Sequence, residues 1–231
     1  MKTLGLIGGM SWESSAEYYK ILNRQVKNKL GGFHSCKCIL YSVDFNEIEY
    51  LQRKGEWGAL TEIMIEAAQK LERGGADCII IGTNTMHLMA EEVQRNINIP
   101  LLHIADATAE QILTKKLKKV GLIGTKFTME QGFYKDRIRE KYGIDVIIPG
   151  AEGQAFIHST IYNELVLGII NPESKKEYLK IIRELIHQGA EGIILGCTEI
   201  PMLINQDDVE IPVFSTTAIH AEFAVDYILR A

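Results

Sequence analysis

The sequence predicts an α/β protein of two pseudo-symmetric halves, each a doubly wound parallel sheet. Three observations predict it: the chain repeats itself, short apolar runs alternate with helical stripes, and no Pro/Gly/Ser-rich linker parts the copies. The repeat comes first. KTLGLIG at 2–8 returns as KKVGLIG at 118–124, and GGADCIIIGTNT at 74–85 returns as QGAEGIILGCTE at 188–199. NINIPLLHIADATAEQIL at 96–113 is echoed by DVEIPVFSTTAIHAEFAVDYIL at 208–229. Three matched pairs, in one order and at nearly constant separation, mark a duplicated unit.

Within each copy, the runs Leu4–Ile7, Cys78–Ile81, Val120–Ile123 and Gly192–Leu195 are short and continuously apolar, as strands buried on both faces of a parallel sheet are. Between them, Leu60, Ile63, Met64, Ala67, Ala68 and Leu71 form one helical stripe opposite Glu62, Glu66 and Lys70. Leu179 to Ile186 is the matching helix of the second copy, with Gly189 as its stop. Ile99-Pro100-Leu101-Leu102 and Ile211-Pro212-Val213-Phe214 each suit a short strand that opens with proline. Alternating β and α segments imply right-handed crossovers. The expected division is residues 1–102 with 215–231 as the first half and 103–214 as the second, the last helix (Ala218 to Leu229) returning to the first half.

Size and composition narrow the function. A chain of 231 residues buries a substantial core, and 46% hydrophobic with 24% charged residues is ordinary for a globular protein. A formal net charge of -5 offers no basic footprint for nucleic acid. Gly8 and Gly9 interrupt the apolar start before it could serve as a signal or membrane segment. A cytoplasmic location with no membrane partner is expected. Cys36, Cys38, Cys78 and Cys197 fit no zinc spacing. The first three read as small buried hydrophobes in strand-like runs, unpaired in a reducing compartment.

Open α/β sheets bind ligands beyond the carboxyl ends of their strands. Four segments occupy that place: GGMS at 8–11, GTNT at 82–85, GTKFT at 124–128 and GCTE at 196–199. Each carries glycine with serine or threonine, a combination that suits a carboxylate at a helix N-terminus. One such loop would be no more than a capped helix; four, related by the repeat, point to a ligand in a cleft between the halves. The repeat aligns Thr83 with Cys197. A thiol at a helix start is expected to titrate below about 8.5 and could exchange a proton at the α-carbon of a bound carboxylate.

In this order, GGMSWES, SVDF, TNTMH, IADAT, FTMEQ, GCTEI and AIHAE resemble the aspartate/glutamate racemase superfamily, nearest its broad-specificity amino-acid racemase branch. The resemblance spans essentially the whole chain. It implies a racemase free of pyridoxal phosphate, metal and any other cofactor, usually a homodimer, with two cysteines as acid and base on opposite faces of an amino acid's α-carbon. Cys197 matches the second of these cysteines. Met10 and Ser11 match a carboxylate-binding loop; Asn84, Thr85 and Thr198 match residues that hold the α-carboxylate; Thr125 matches a further lining position. Arg53 matches a basic residue that contacts a distal carboxylate, and Glu199 a polar neighbour of the catalytic cysteine.

Two departures matter. The first catalytic cysteine falls at Thr83, whose hydroxyl is a far weaker acid than a thiol, so racemisation is expected to be weak or strongly asymmetric. Where acidic-substrate members carry a lysine, Leu165 and Leu167 stand, which favours a less selective pocket. His87 is a candidate proton relay to the Thr83 face, while His103 and His220 are expected in loops after the proline-opened strands. Asp44 either lines the site or caps a turn. Two other readings use the same framework: a single-cysteine decarboxylase of substituted malonates, and an amino-acid-binding protein with little catalysis.

Overall fold

A computed structural model describes residues 1–230. In chain order the elements of the first part are β1 (Leu4–Gly8), α1 (Trp12–Leu30), β2 (Cys38–Ser42), α2 (Phe45–Lys54), α3 (Trp57–Arg73), β3 (Cys78–Ile81) and α4 (Ala90–Arg95). There follow α5 (Ile104–Thr114), β4 (Lys119–Gly124), α6 (Lys126–Glu130), α7 (Gly132–Tyr142), β5 (Asp145–Ile147) and α8 (Ala151–Asn163). The chain closes with α9 (Pro172–His187), β6 (Ile193–Gly196), β7 (Val213–Ser215) and α10 (Thr216–Leu229). It divides into two compact units: Met1–Ile104 with the stretch from His220 onward, and Ala105–Ile219.

In the first unit the strands lie parallel in the order β2-β1-β3. Beyond β3, Leu101 adds a single parallel bridge to Ile79, so the expected proline-opened strand is reduced there to one residue. The second unit runs β5-β4-β6-β7, all parallel, and its proline-opened strand is formed as β7. The two orders correspond, as a duplicated βα design requires.

Alternation along β1 explains the first unit's two cores. Ile7 faces one side, with Ile79, Ile81 and the α3 stripe Leu60, Met64, Ala67, Ala68 and Leu71. Leu4 and Leu6 face the other, with Tyr18, Leu22 and Val26 of α1 and Ala221, Ala224, Val225 and Ile228 of α10. Tyr18, Leu22 and Val26 recur every fourth residue, so the buried face of α1 is apolar beyond its first turn. In the second unit Tyr178, Ile181, Ile182 and Leu185 of α9 cover Ile123, Ile193 and Leu195. Asn171 caps α9 with Pro172 at its first turn, and Gly189 takes φ +94° just beyond its end.

Two local expectations change, and one open choice closes. Cys36 precedes β2 in irregular backbone, and Cys38 begins that strand half-buried. His220 lies within α10, not in a loop. Asp44 caps α2, accepting from the Asn46 amide at 3.1 Å. Among the described residues no helix is long and apolar enough to cross a membrane.

Candidate active site

The first unit assembles its strand-end turns by hydrogen bonds among serines. After β1, Gly9 takes φ +89°, and a Cβ there would collide with the Val43 backbone. Ser11 caps α1, accepting from the Ser14 amide at 3.3 Å. The Ser15 hydroxyl accepts from the Gly9 amide at 2.7 Å and donates to the Ser11 carbonyl at 2.9 Å. Ser14 donates to the Gly82 carbonyl at 3.2 Å, joining this loop to the turn that follows β3. The Met10 side chain is buried in the core on the α3 side.

In that second turn Thr83 is half-buried, while Asn84 and Thr85 are buried. His87 sets its backbone: Nδ1 stands 2.8 Å from the Thr83 carbonyl, and Nε2 accepts from the Ile104 amide at 3.2 Å. An amide only donates and a carbonyl only accepts, so the ring is neutral with its proton on Nδ1. Burial, then the neighbouring His103 and His220 rings, holds its pKa well below the usual histidine value. Both nitrogens are engaged with backbone. His87 therefore positions the Thr83 turn, and the expected relay role has no free nitrogen to use.

Arg53 is not brought to this turn. It lies on the exposed face of α2, 3.8 Å from Glu49 and over the Tyr50 ring. Its neighbour Gln52 is buried instead and donates to the Met86 sulfur at 3.2 Å, from within the turn's own helical continuation.

The second unit repeats the plan with different chemistry. Gly124 and Gly196 pair across β4 and β6. A Cβ on Gly124 would come within 2.8 Å of the Gly196 carbonyl, so only glycine lets the two turns leave the sheet this close. Thr125 caps α6, accepting from the Thr128 amide at 3.3 Å. In the adjacent turn Cys197 is buried, and its Sγ donates to Glu199 Oε2 at 2.9 Å. Thr198 donates to the same oxygen at 2.6 Å. Leu165 belongs to the core here, and Leu167 is exposed.

The turn after β6 leads into a single 3-10 turn, Ile200–Met202, rather than a long helix. A depressed thiol pKa was expected on the ground of a helix N-terminus; the direction is the reverse. Burial first, then the Glu199 carboxylate, pushes Cys197 well above the ordinary thiol value, against amide hydrogen bonds that pull it down. The resting site thus holds a protonated thiol with a carboxylate in place to receive its proton. Among the described residues no group of His, Cys, Asp or Glu is arranged to hold a metal ion.

The sequence profile of the Asp/Glu/hydantoin racemase family matches residues 7–224. The chain belongs to that family. It is 27% identical over 183 residues to the broad-specificity amino-acid racemase RacX of Bacillus subtilis, covering 76% of this chain and 75% of that protein. It is 29% identical to the glutamate racemase of Aquifex pyrophilus, covering 71% of this chain and 62% of the relative. Two solved structures match the full length of both chains. One, a Yersinia pestis protein provisionally described as an Asp/Glu racemase, has a TM-score of 0.94 at 53% identity. The other, an aspartate racemase homologue from Pyrococcus horikoshii, has 0.87 at 36%.

For this family member, sequence reasoning missed Ser14, Ser15, Gln52 and Thr128. The doubled serine three residues after Ser11 was the available signal for a cap that turns back on its own loop. Gln52 carried none, since Arg53 beside it has the more conspicuous chemistry.

Proposed function

We propose that the protein is an amino-acid racemase free of pyridoxal phosphate, in which Cys197 exchanges the α-proton on one face of the substrate. Thr83 stands in for the opposing cysteine, and Glu199 serves as proton store for Cys197. The observation that carries this reading is the Cys197–Glu199 hydrogen bond at the end of β6, with Thr83 at the equivalent turn of β3.

The proton count runs as follows. As acid, the Cys197 thiol delivers its proton to the substrate carbanion, and the thiolate left is neutralised by a proton from solvent. As base, the thiol first gives its proton to Glu199 and then takes one from Cα. Amides and hydroxyls of the Ser11, Asn84, Thr85, Thr125 and Thr198 turns hold the α-carboxylate, as anion sites at strand ends do. Met10 contributes its backbone to the same set. Arg53, exposed on α2, takes a distal carboxylate only if α2 or its own rotamer turns inward, so side-chain selectivity is broad. Homodimer assembly belongs to the same reading.

A second reading has one observation in its favour. A thiol that rests protonated is suited to deliver a proton to an enediolate, the one-sided step of malonate decarboxylation, and Thr83 would then have no base to replace. A single experiment separates the two. The protein is incubated with L- and D-amino acids in deuterium oxide, and with an arylmalonate. Deuterium at Cα with inversion, lost in Cys197→Ala, supports the racemase. Carbon dioxide release without any Cα exchange supports the decarboxylase. Unchanged exchange in Cys197→Ala would sink the thiol mechanism.

A further inference from the structure

Three thiols collect at the end of the first unit's sheet opposite the strand-end turns. Cys38 and Cys78 open β2 and β3, both in register with Leu4 of β1. Cys36 precedes Cys38 by two residues and shares a core cluster with Leu4 and Cys78, with Cys38 packed at its margin. None serves the chemistry proposed above. They differ in access: Cys78 is fully buried, Cys36 is 8% exposed, and Cys38 is half-buried on the outer strand of the sheet.

Geometry decides which pair can bond. β1 stands between β2 and β3, so Cys38 and Cys78 lie two strand spacings apart, about 10 Å between Cα atoms. A disulfide reaches no more than about 7 Å. Cys36 and Cys38 are alternate residues where the chain enters a strand, so their side chains leave on one face. In this juxtaposition the Cys36 side chain, against burial, lowers the Cys38 thiol below the ordinary value. Cys38 is also the most exposed of the three thiols, so it is the one that meets an oxidant first. Cys78 is the contrast, pushed up to about 12 by burial and then by Asp77.

We propose that Cys36 and Cys38 form a reversible oxidation site for hydroperoxides, with Cys38 the nucleophile and Cys36 the resolving thiol. The Cys38 thiolate attacks the peroxide; the S–O bond forms as the O–O bond breaks, and the leaving alkoxide or hydroxide takes up a proton. The Cys36 sulfur, releasing its proton, then displaces the sulfenic oxygen, which departs as water as the S–S bond closes. The two sulfurs lose two electrons and the hydroperoxide gains them. Closing so small a ring bends the backbone from its extended path and releases the Cys36 amide from Asn23 Oδ1, now 3.0 Å away. A disulfide made against local geometry is the kind that dithiols readily reduce.

The test treats the full-length protein with hydrogen peroxide, blocks remaining thiols with N-ethylmaleimide and digests with trypsin without reductant. Cleavage at Lys29, Lys37 and Arg53 places Cys36 in peptide 30–37 and Cys38 in peptide 38–53, so a disulfide keeps the two together until dithiothreitol divides them. The expected result is that this linked species accumulates while Cys78 stays reduced. Cys36→Ser should stop oxidation at a Cys38 sulfenic acid that dimedone traps, and Cys38→Ser should leave Cys36 reduced. Protection of Cys78 from the maleimide in both variants reports that the unit is folded. Both cysteines still carrying maleimide after peroxide, or a link from Cys36 to Cys78, would overturn the proposal.

Discussion

His220→Gln isolates the titration of the histidine cluster from its packing. His220 is fully buried in α10, with Nε2 2.8 Å from the Leu102 carbonyl and Nδ1 3.0 Å from the Tyr18 hydroxyl. The carbonyl can only accept, so the ring carries its proton on Nε2 and takes the tyrosine hydrogen on Nδ1. Burial, partly offset by the Leu102 hydrogen bond, lowers its pKa from 6.5 to about 4. The unfolded chain binds a proton near pH 6.5 and the folded chain does not until about pH 4. Stability from this group is therefore intact above pH 6.5, falls by about 1.4 kcal/mol per pH unit below it, and levels off below pH 4. The loss across that window is about 3 kcal/mol. Glutamine can donate to Leu102 and accept from Tyr18 without titrating, so any fixed packing penalty cancels when the two pH profiles are subtracted. Trp12 and Trp57, the chain's two tryptophans, both lie in the first unit, so intrinsic fluorescence during urea unfolding reports on the unit that holds His220. Between pH 8 and pH 4 the wild type should lose about 3 kcal/mol more than the variant. His87 adds to the acid slope of both proteins, and because the His220 ring is one cause of its low pKa, its replacement eases His87 in the variant and can only widen the difference. Parallel profiles would refute the assignment of a neutral, buried His220.

Other outcomes follow from the two turns. Thr83→Cys supplies the second thiol and should raise the slower direction of racemisation roughly 10²-fold, measured from D- and L-substrate separately; no change would remove Thr83 from the mechanism. Glu199→Gln takes away the negative charge beside Cys197, so the thiolate's ultraviolet absorbance should rise at lower pH than in wild type, while Cα exchange falls roughly 10²-fold. A lowered thiol titration with undiminished exchange would show that Glu199 stores no proton. Gly124→Ala sets a methyl against the Gly196 carbonyl and should cost about 2 kcal/mol in urea unfolding, with lost activity from a displaced Cys197 turn. A variant of wild-type stability would mean that β4 and β6 do not approach as closely as described.

The fold was legible wherever burial on both faces left an uninterrupted apolar run. Leu4–Ile7, Cys78–Ile81 and the α3 stripe lie within the observed elements because nothing local competes with their pattern. Exposed edges were harder. β5 is three residues, all at least partly exposed, and its sequence DVI has no period to read. The Pro100 strand survives as one bridge because its ladder contacts reduce to the Pro100 carbonyl and the Leu102 amide, both meeting Ile79. At the site, glycine, threonine and cysteine in strand-end turns were readable as chemistry. The direction of the Cys197 shift was not, because it depends on how deeply the thiol is buried and on which way Glu199 turns, neither of which the spacing records. His220 was misplaced for a related reason. His220 meets Tyr18 across 202 residues of chain and Leu102 across 118, and no local pattern announces such a partner.

The return of α10 has a consequence for how the protein is made. Ala221, Ala224, Val225 and Ile228 complete a core whose other members include Leu4, Leu6 and Tyr18, and the Lys2 amide donates to the Ile228 carbonyl at 2.9 Å. The second unit is thus nested inside the sequence of the first. On a ribosome the part begun first is the part finished last: its sheet waits with one apolar face open until Ile228 has emerged, whereas the nested unit can close as soon as Ile219 is free. A chaperone that shields apolar surface during synthesis would have most to do on the older half of the chain. Two genes cut at residue 104 would likewise leave the upstream product with a vacant groove that a peptide of the α10 sequence could fill.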